Sequence, residues 1–126
     1  MTAPTPDTAL RVLVVEDDPA LCELACLWIE SLRGEAVGAT SPQEALEILA
    51  GATFDVLFSD YVMPGPMNGL DLATVATHMH PSMRVVMTSG DASLLAGAPL
   101  SALTILPKPY SRSALAAALM PEHPGP

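Results

Sequence analysis

Four short stretches of this chain hold residue types that do chemistry: Glu16-Asp17-Asp18, Asp60, Thr88-Ser89 and Lys108. Asp60 closes the apolar run LFSD, and only Tyr61, Val62 and Met63 separate it from Pro64-Gly65-Pro66. A carboxylate there can brace the turn by bonding its own downstream backbone, or it can serve as a nucleophile. Lys108 is the sole lysine and sits in Pro-Lys-Pro, an odd place for a charge that serves only solubility. If these groups meet, three or four carboxylates repel one another in a partly desolvated cleft. A divalent cation resolves that repulsion. Magnesium suits it best, with manganese as the alternative, because it takes hard oxygen ligands and keeps positions open for phosphate oxygens. A lysine and a hydroxyl on the far side then hold an incoming phosphoryl group, and the set describes phosphoryl transfer to an aspartate.

Whether they meet depends on the elements that carry them. Val12 to Val15 reads as a strand buried on both faces, and apolar residues from Pro19 to Leu32 follow helical spacing, ending near Gly34. Glu35 to Ala39 is a weak strand. Ser41, Pro42 and Glu44 form a capping box that opens a helix ending at Gly51. Strands follow at Phe54 to Ser59, Arg84 to Met87 and Leu103 to Leu106, with helices at Leu70 to Met79, a short one at Ala92 to Ala98, and one from Ser111 to about Met120. Strict alternation of strand and helix predicts an α/β fold, a doubly wound parallel sheet covered on both faces. Ligands bind such sheets at the carboxyl ends of the strands. Those ends carry Glu16 and Asp17, Asp60, Thr88 and Ser89, and the approach to Lys108. Asp18, just before Pro19, reads as an N-cap rather than a metal ligand.

The 126 residues, half of them apolar, suit one domain over residues 10–120, with Pro-rich flexible tails at 1–9 and 121–126. A charge of −9 with no cluster of Lys or Arg argues against nucleic acid and against anionic membrane surfaces. No stretch resembles a signal peptide or spans a bilayer, so a cytoplasmic location is expected. Cys22 and Cys26 share a helix face without a further ligand and read as core thiols. His78 and His80 read as surface residues.

The motifs VLVVEDD, the aspartate followed by MP, VVMTSG and LPKPY make the chain similar to a receiver domain of two-component response regulators, over nearly its whole globular part. The resemblance implies a flavodoxin- and CheY-like five-stranded sheet in the order 2-1-3-4-5, five helices and a magnesium-dependent phospho-aspartate. Carried over by position, Asp60 is the phosphoacceptor. Asp17 binds the metal directly and Glu16 mainly through water, while Val62 offers its backbone carbonyl. Thr88 contacts the phosphoryl group by its hydroxyl and Lys108 by its ammonium, aimed inward by a cis bond to Pro109. The implied partner is a histidine kinase or histidine phosphotransfer protein.

Three departures stand out. Pro64 to Asn68 is one residue longer than in most receivers, and with LPKPY this resembles receivers of hybrid histidine kinases. The segment from Thr88 to Lys108 is slightly short, consistent with a reduced fourth helix. Ile105 occupies the position where many receivers carry a switching aromatic, so a signal must travel through Ser89 to Gly97 or through backbone shifts near Ile105. Val62 cannot orient an attacking water, so the acyl phosphate should not be especially short-lived. The expected function is a stand-alone receiver, monomer or weak dimer, whose output is altered protein binding. Its only chemistry would be self-phosphorylation from phosphodonors and autodephosphorylation. The competing readings are a phosphorylation-independent binding module, a phosphate sink, and an aspartyl-phosphate phosphatase, which would want a second Asp where Val62 stands.

Overall fold

In the computed structural model, which describes residues 9–95, 97 and 103–120, the middle strand of the sheet is buried end to end. That strand, β3 (Val56–Asp60), is flanked by β1 (Arg11–Val15) and β4 (Arg84–Ser89), with β2 (Glu35–Ala39) and β5 (Leu103–Pro107) at the edges. All pairings are parallel and the order is β2-β1-β3-β4-β5. The near-continuous apolar runs of β1, β3 and β4 follow from this, because a parallel sheet is covered on both faces.

Alternation along the strands divides the core in two. Val12, Val14, Val56, Phe58 and Val86 point to one face, under α1 (Pro19–Ser31) and α4 (Arg112–Leu119). Leu13, Val15, Leu57, Val85 and Met87 point to the other, under α2 (Pro42–Gly51) and α3 (Gly69–Met79). Each helix starts on a side-chain cap. Asp18 accepts from the amides of Ala20 and Leu21, as its place before Pro19 led us to expect. Ser111 caps α4 through the Ala114 amide.

The structure corrects three local expectations. Between β4 and β5 the described residues hold a single 3-10 segment, Ala92–Leu95, in place of a fourth α-helix; Ala98, its expected end, lies outside the described residues. The 3-10 form is the usual state of so short a run. The expected tails lie outside them too, apart from Ala9. Ser41 accepts from the Glu44 amide at 3.1 Å, but Glu44 reaches past it to the Thr40 amide at 2.8 Å, so the box at α2 is closed one residue early. The reciprocal box forms at α3, where Asn68 accepts from the Asp71 amide at 2.8 Å and Asp71 from the Asn68 amide at 3.1 Å. His80 is half-buried rather than a surface residue, its Nε2 lying 2.9 Å from the Leu49 carbonyl at the end of α2; His78 is exposed as expected. The Pro64 to Asn68 loop turns in solvent: Pro64, Gly65 and Pro66 are exposed, with Gly65 at φ 101°, while Met63 plugs the core.

Candidate functional site

Asp60 ends β3 and is the register partner of Thr88 near the end of β4. Glu16 and Asp17 follow β1, and the Glu16 amide is held by the Ala39 carbonyl at 3.1 Å. Lys108 follows β5, its amide donating to the Ser89 carbonyl at 2.9 Å, and its bond to Pro109 is cis. The five side chains singled out in the sequence therefore meet at one edge of the sheet.

Carboxylate oxygens of Glu16, Asp17 and Asp60 lie within 4.8 Å of one another. Glu16 and Asp60 are buried and Asp17 is exposed. The Lys108 ammonium donates to Asp60 Oδ2 at 2.9 Å and lies 3.6 Å from Glu16 Oε1. Glu16 Oε2 also accepts from the Asp18 amide at 3.2 Å. Burial pushes the Glu16 carboxyl above its ordinary value, against the pull of that amide, and Asp60 adds to the rise while Lys108 opposes it. Burial is also the largest influence on Lys108 and pulls it down. Asp60 and Glu16 together outweigh it, and the ammonium is held above its ordinary value.

Three carboxylates against one ammonium leave two negative charges when all are ionised, the charge that one divalent cation neutralises. The donors are all hard oxygens, and the exposed Asp17 leaves one side of the cluster open to solvent. Both properties fit magnesium. Thr88 adds an independent sign. Its Oγ1 is buried and has no hydrogen-bond partner among the described residues, a state that costs about 1–3 kcal/mol unless a ligand satisfies it.

The other sites of interest fall as follows. Val62 is exposed, its side chain in solvent. Ser89 is buried and exchanges hydrogen bonds with the backbone of Asp91, at 3.1 and 3.2 Å. Ile105 pairs with Met87 and packs, half-buried, against the α2–α3 side of the core. Cys22 is buried and Cys26 half-buried, both free thiols as expected. Burial pushes Cys26 up to about 12. A groove of about 470 Å³, walled by Leu21, Leu24, Trp28 and Tyr110, opens beside Glu16 and Lys108. Sequence reading passed over Tyr110 and Gly69; the latter's amide closes the loop on the Tyr61 carbonyl at 2.8 Å.

The family model of the response regulator receiver domain matches residues 12–120. The chain belongs to that family. Among curated proteins the receiver is 34% identical over 87 residues to the transcriptional regulatory protein MalR of Bacillus subtilis, an alignment covering 68% of this chain and 37% of MalR. The receiver thus spans well under half the length of that relative. Among solved structures it resembles a response regulator receiver protein from Sinorhizobium medicae, with a TM-score of 0.81, 27% identity, and coverage of 88% of this chain and 91% of that one. It also resembles the receiver domain of the hybrid histidine kinase CckA, with a TM-score of 0.72, 31% identity, and coverage of 85% and 93%. The CheY-like fold and the acidic, metal-type cluster place the receiver in two-component signalling, where receivers partner with histidine kinases. None of the helices is long and apolar enough to cross a membrane, among the described residues.

Proposed function

We propose that this receiver accepts a phosphoryl group on Asp60 from the phosphohistidine of a histidine kinase or phosphotransfer protein, and signals by altered binding to another protein. One observation carries the reading: Lys108 pairs with Asp60 at 2.9 Å beside a buried Thr88 hydroxyl that has no partner among the described residues. A structural ion pair accounts for the first of these and leaves the second unexplained.

In the transfer, an Asp60 carboxylate oxygen attacks phosphorus, the bond from phosphorus to the donor nitrogen breaks, and the electron pair stays with the imidazole. Lys108 exchanges its contact with Asp60 for a phosphoryl oxygen, and Thr88 donates its hydroxyl to another. Both groups neutralise charge that spreads over the equatorial oxygens. Glu16, Asp17 and Asp60, with the Val62 carbonyl, would hold Mg2+, which supplies the remaining charge neutralisation when bound. The −9 charge fits a protein partner better than nucleic acid for the output of a receiver acting alone. The added loop residue and the likeness to the CckA receiver support a style shared with receivers of hybrid kinases.

Incubation with acetyl phosphate and Mg2+, followed by intact mass, tests the assignment. A single phosphate adduct is expected on the wild type and none on Asp60→Asn. An adduct on both proteins, or on neither, would break it.

A further inference from the structure

We infer that Gly69 is a positioning residue for Asp60; this rests on the proposed phosphoacceptor role. The chain leaves the sheet at Asp60 and returns to the same point nine residues later, at the first residue of α3. The return is tied down by backbone alone. The Gly69 amide donates to the Tyr61 carbonyl at 2.8 Å, and the Tyr61 amide donates to the Thr88 carbonyl at 2.9 Å. Gly69 is buried, and the space a side chain would take is already filled. A Cβ built there would stand 2.9 Å from the Asp60 carbonyl carbon, closer still to its oxygen, and 2.8 Å from Met87 Sδ. The Met87 side chain can swing away. The Asp60 carbonyl cannot, because it is the backbone of the last residue of a strand buried throughout and also accepts from the Ser59 hydroxyl at 2.9 Å.

Gly69 has no unusual φ, so its lack of a side chain serves close approach and not backbone freedom. The hydrogen-bonded loop and the bare Cα together hold the peptide after Asp60 in one plane. That plane sets where the carboxylate points relative to Lys108 and Thr88. Any residue with a Cβ must force the Asp60 peptide and the start of α3 apart by about 1 Å; with no side chain there to yield, part of that shift reaches the carboxylate, and a misplacement of that size costs up to ~100-fold in rate. The effect belongs to Cβ itself, so alanine and serine should behave alike.

The test uses acetyl phosphate and Mg2+ with the full chain. Gly69→Ala and Gly69→Ser should melt cooperatively, yet label ~10- to 100-fold more slowly at saturating donor, with little change in the half-saturating concentration. Gly51→Ala, where a Cβ meets open space, should label like wild type. Met87→Val removes the δ atom and so the side-chain clash. Gly69→Ala/Met87→Val keeps only the clash with the Asp60 carbonyl and should remain slow. Recovery of the double variant to the rate of Met87→Val would assign the defect to packing and overturn the inference. So would wild-type labelling by Gly69→Ala, or failure of both Gly69→Ala proteins to melt cooperatively, which would make the glycine a folding requirement. A wild type that takes no phosphate sinks the phosphoacceptor reading instead. The amide resonances of Tyr61 and Thr88 then decide the positioning claim separately, since they should shift in Gly69→Ala and stay fixed if it is wrong.

Discussion

At the scale of single residues, the site trades stability for chemistry. Thr88 buries an unpartnered hydroxyl, so Thr88→Val, which keeps the shape and removes the oxygen, should stabilise the protein by about 1 kcal/mol in urea unfolding. The same variant should label more slowly with acetyl phosphate. A loss of stability, or an unchanged rate, would count against a ligand-binding role for that hydroxyl. Val62 gives a second expectation. Its side chain is exposed beside the site, so Val62→Asn or Val62→Glu should shorten the lifetime of the phosphorylated form, timed by loss of the adduct mass. The residues that meet here were legible in the sequence because charged and hydroxyl groups stand out against apolar strands. Gly69 was not, since its contribution is the space it leaves open, and that depends on the distance to a backbone atom nine residues away.

At the scale of elements, helix starts were readable and their details were not. Ser41, Pro42 and Glu44 spell a capping box, but whether Glu44 returns to residue 40 or 41 depends on the entry path of the chain, set by β2. Asn68 and Asp71 carried the same signal at α3 and were passed over. β3 ends one residue later than the sequence suggested because Asp60 pairs with Thr88, and it starts at Val56 rather than Phe54. Just ahead of it Asp55 holds Arg11 twice, its amide donating to the Arg11 carbonyl and its side chain accepting from the Arg11 amide, both at 2.8 Å. Packing of α1 on β2 makes a sharper claim. A Cβ on Gly38 would stand 2.8 Å from Cys22 Sγ and 3.4 Å from Cys26 Sγ, so Gly38→Val should cost about 1–3 kcal/mol, with part of it restored by Cys22→Ala. The Cys26 thiol, pushed up to about 12 by burial, stays protonated near pH 8, and thiol reagents should react with it slowly until the protein unfolds. Its folded value lies above its ordinary value of 9.0. The folded state therefore holds the proton longer, and stability from this group falls as pH rises from about 9 towards 12.

At the scale of the molecule, the order β2-β1-β3-β4-β5 explains why residues spread from 16 to 108 act as one site. Alternation of strand and helix made the parallel, doubly covered sheet legible, because apolar runs of this kind need helices on both faces; the order itself was implied only by the receiver resemblance. The region between β4 and β5 resisted the same reasoning. A four-residue 3-10 segment has too little periodicity to distinguish it from the first turn of a helix. A carboxylate cluster that needs a cation should also show itself in global stability. Mg2+ should raise the melting temperature progressively, by the equivalent of ~2.7 kcal/mol at a hundredfold excess over its dissociation constant. Asp17→Asn should remove most of that gain, measured against the same protein in EDTA.

The aromatic contacts at the mouth of the groove have a practical consequence. Tyr110, two residues after Lys108, stands edge-on to Phe58 at 5.6 Å and to Trp28 at 6.1 Å. Trp28 is the single tryptophan of the chain. Its ultraviolet emission is thus a built-in optical gauge of the lysine loop. Stopped-flow fluorescence can follow that loop in real time, with no dye attached and no background from a second indole.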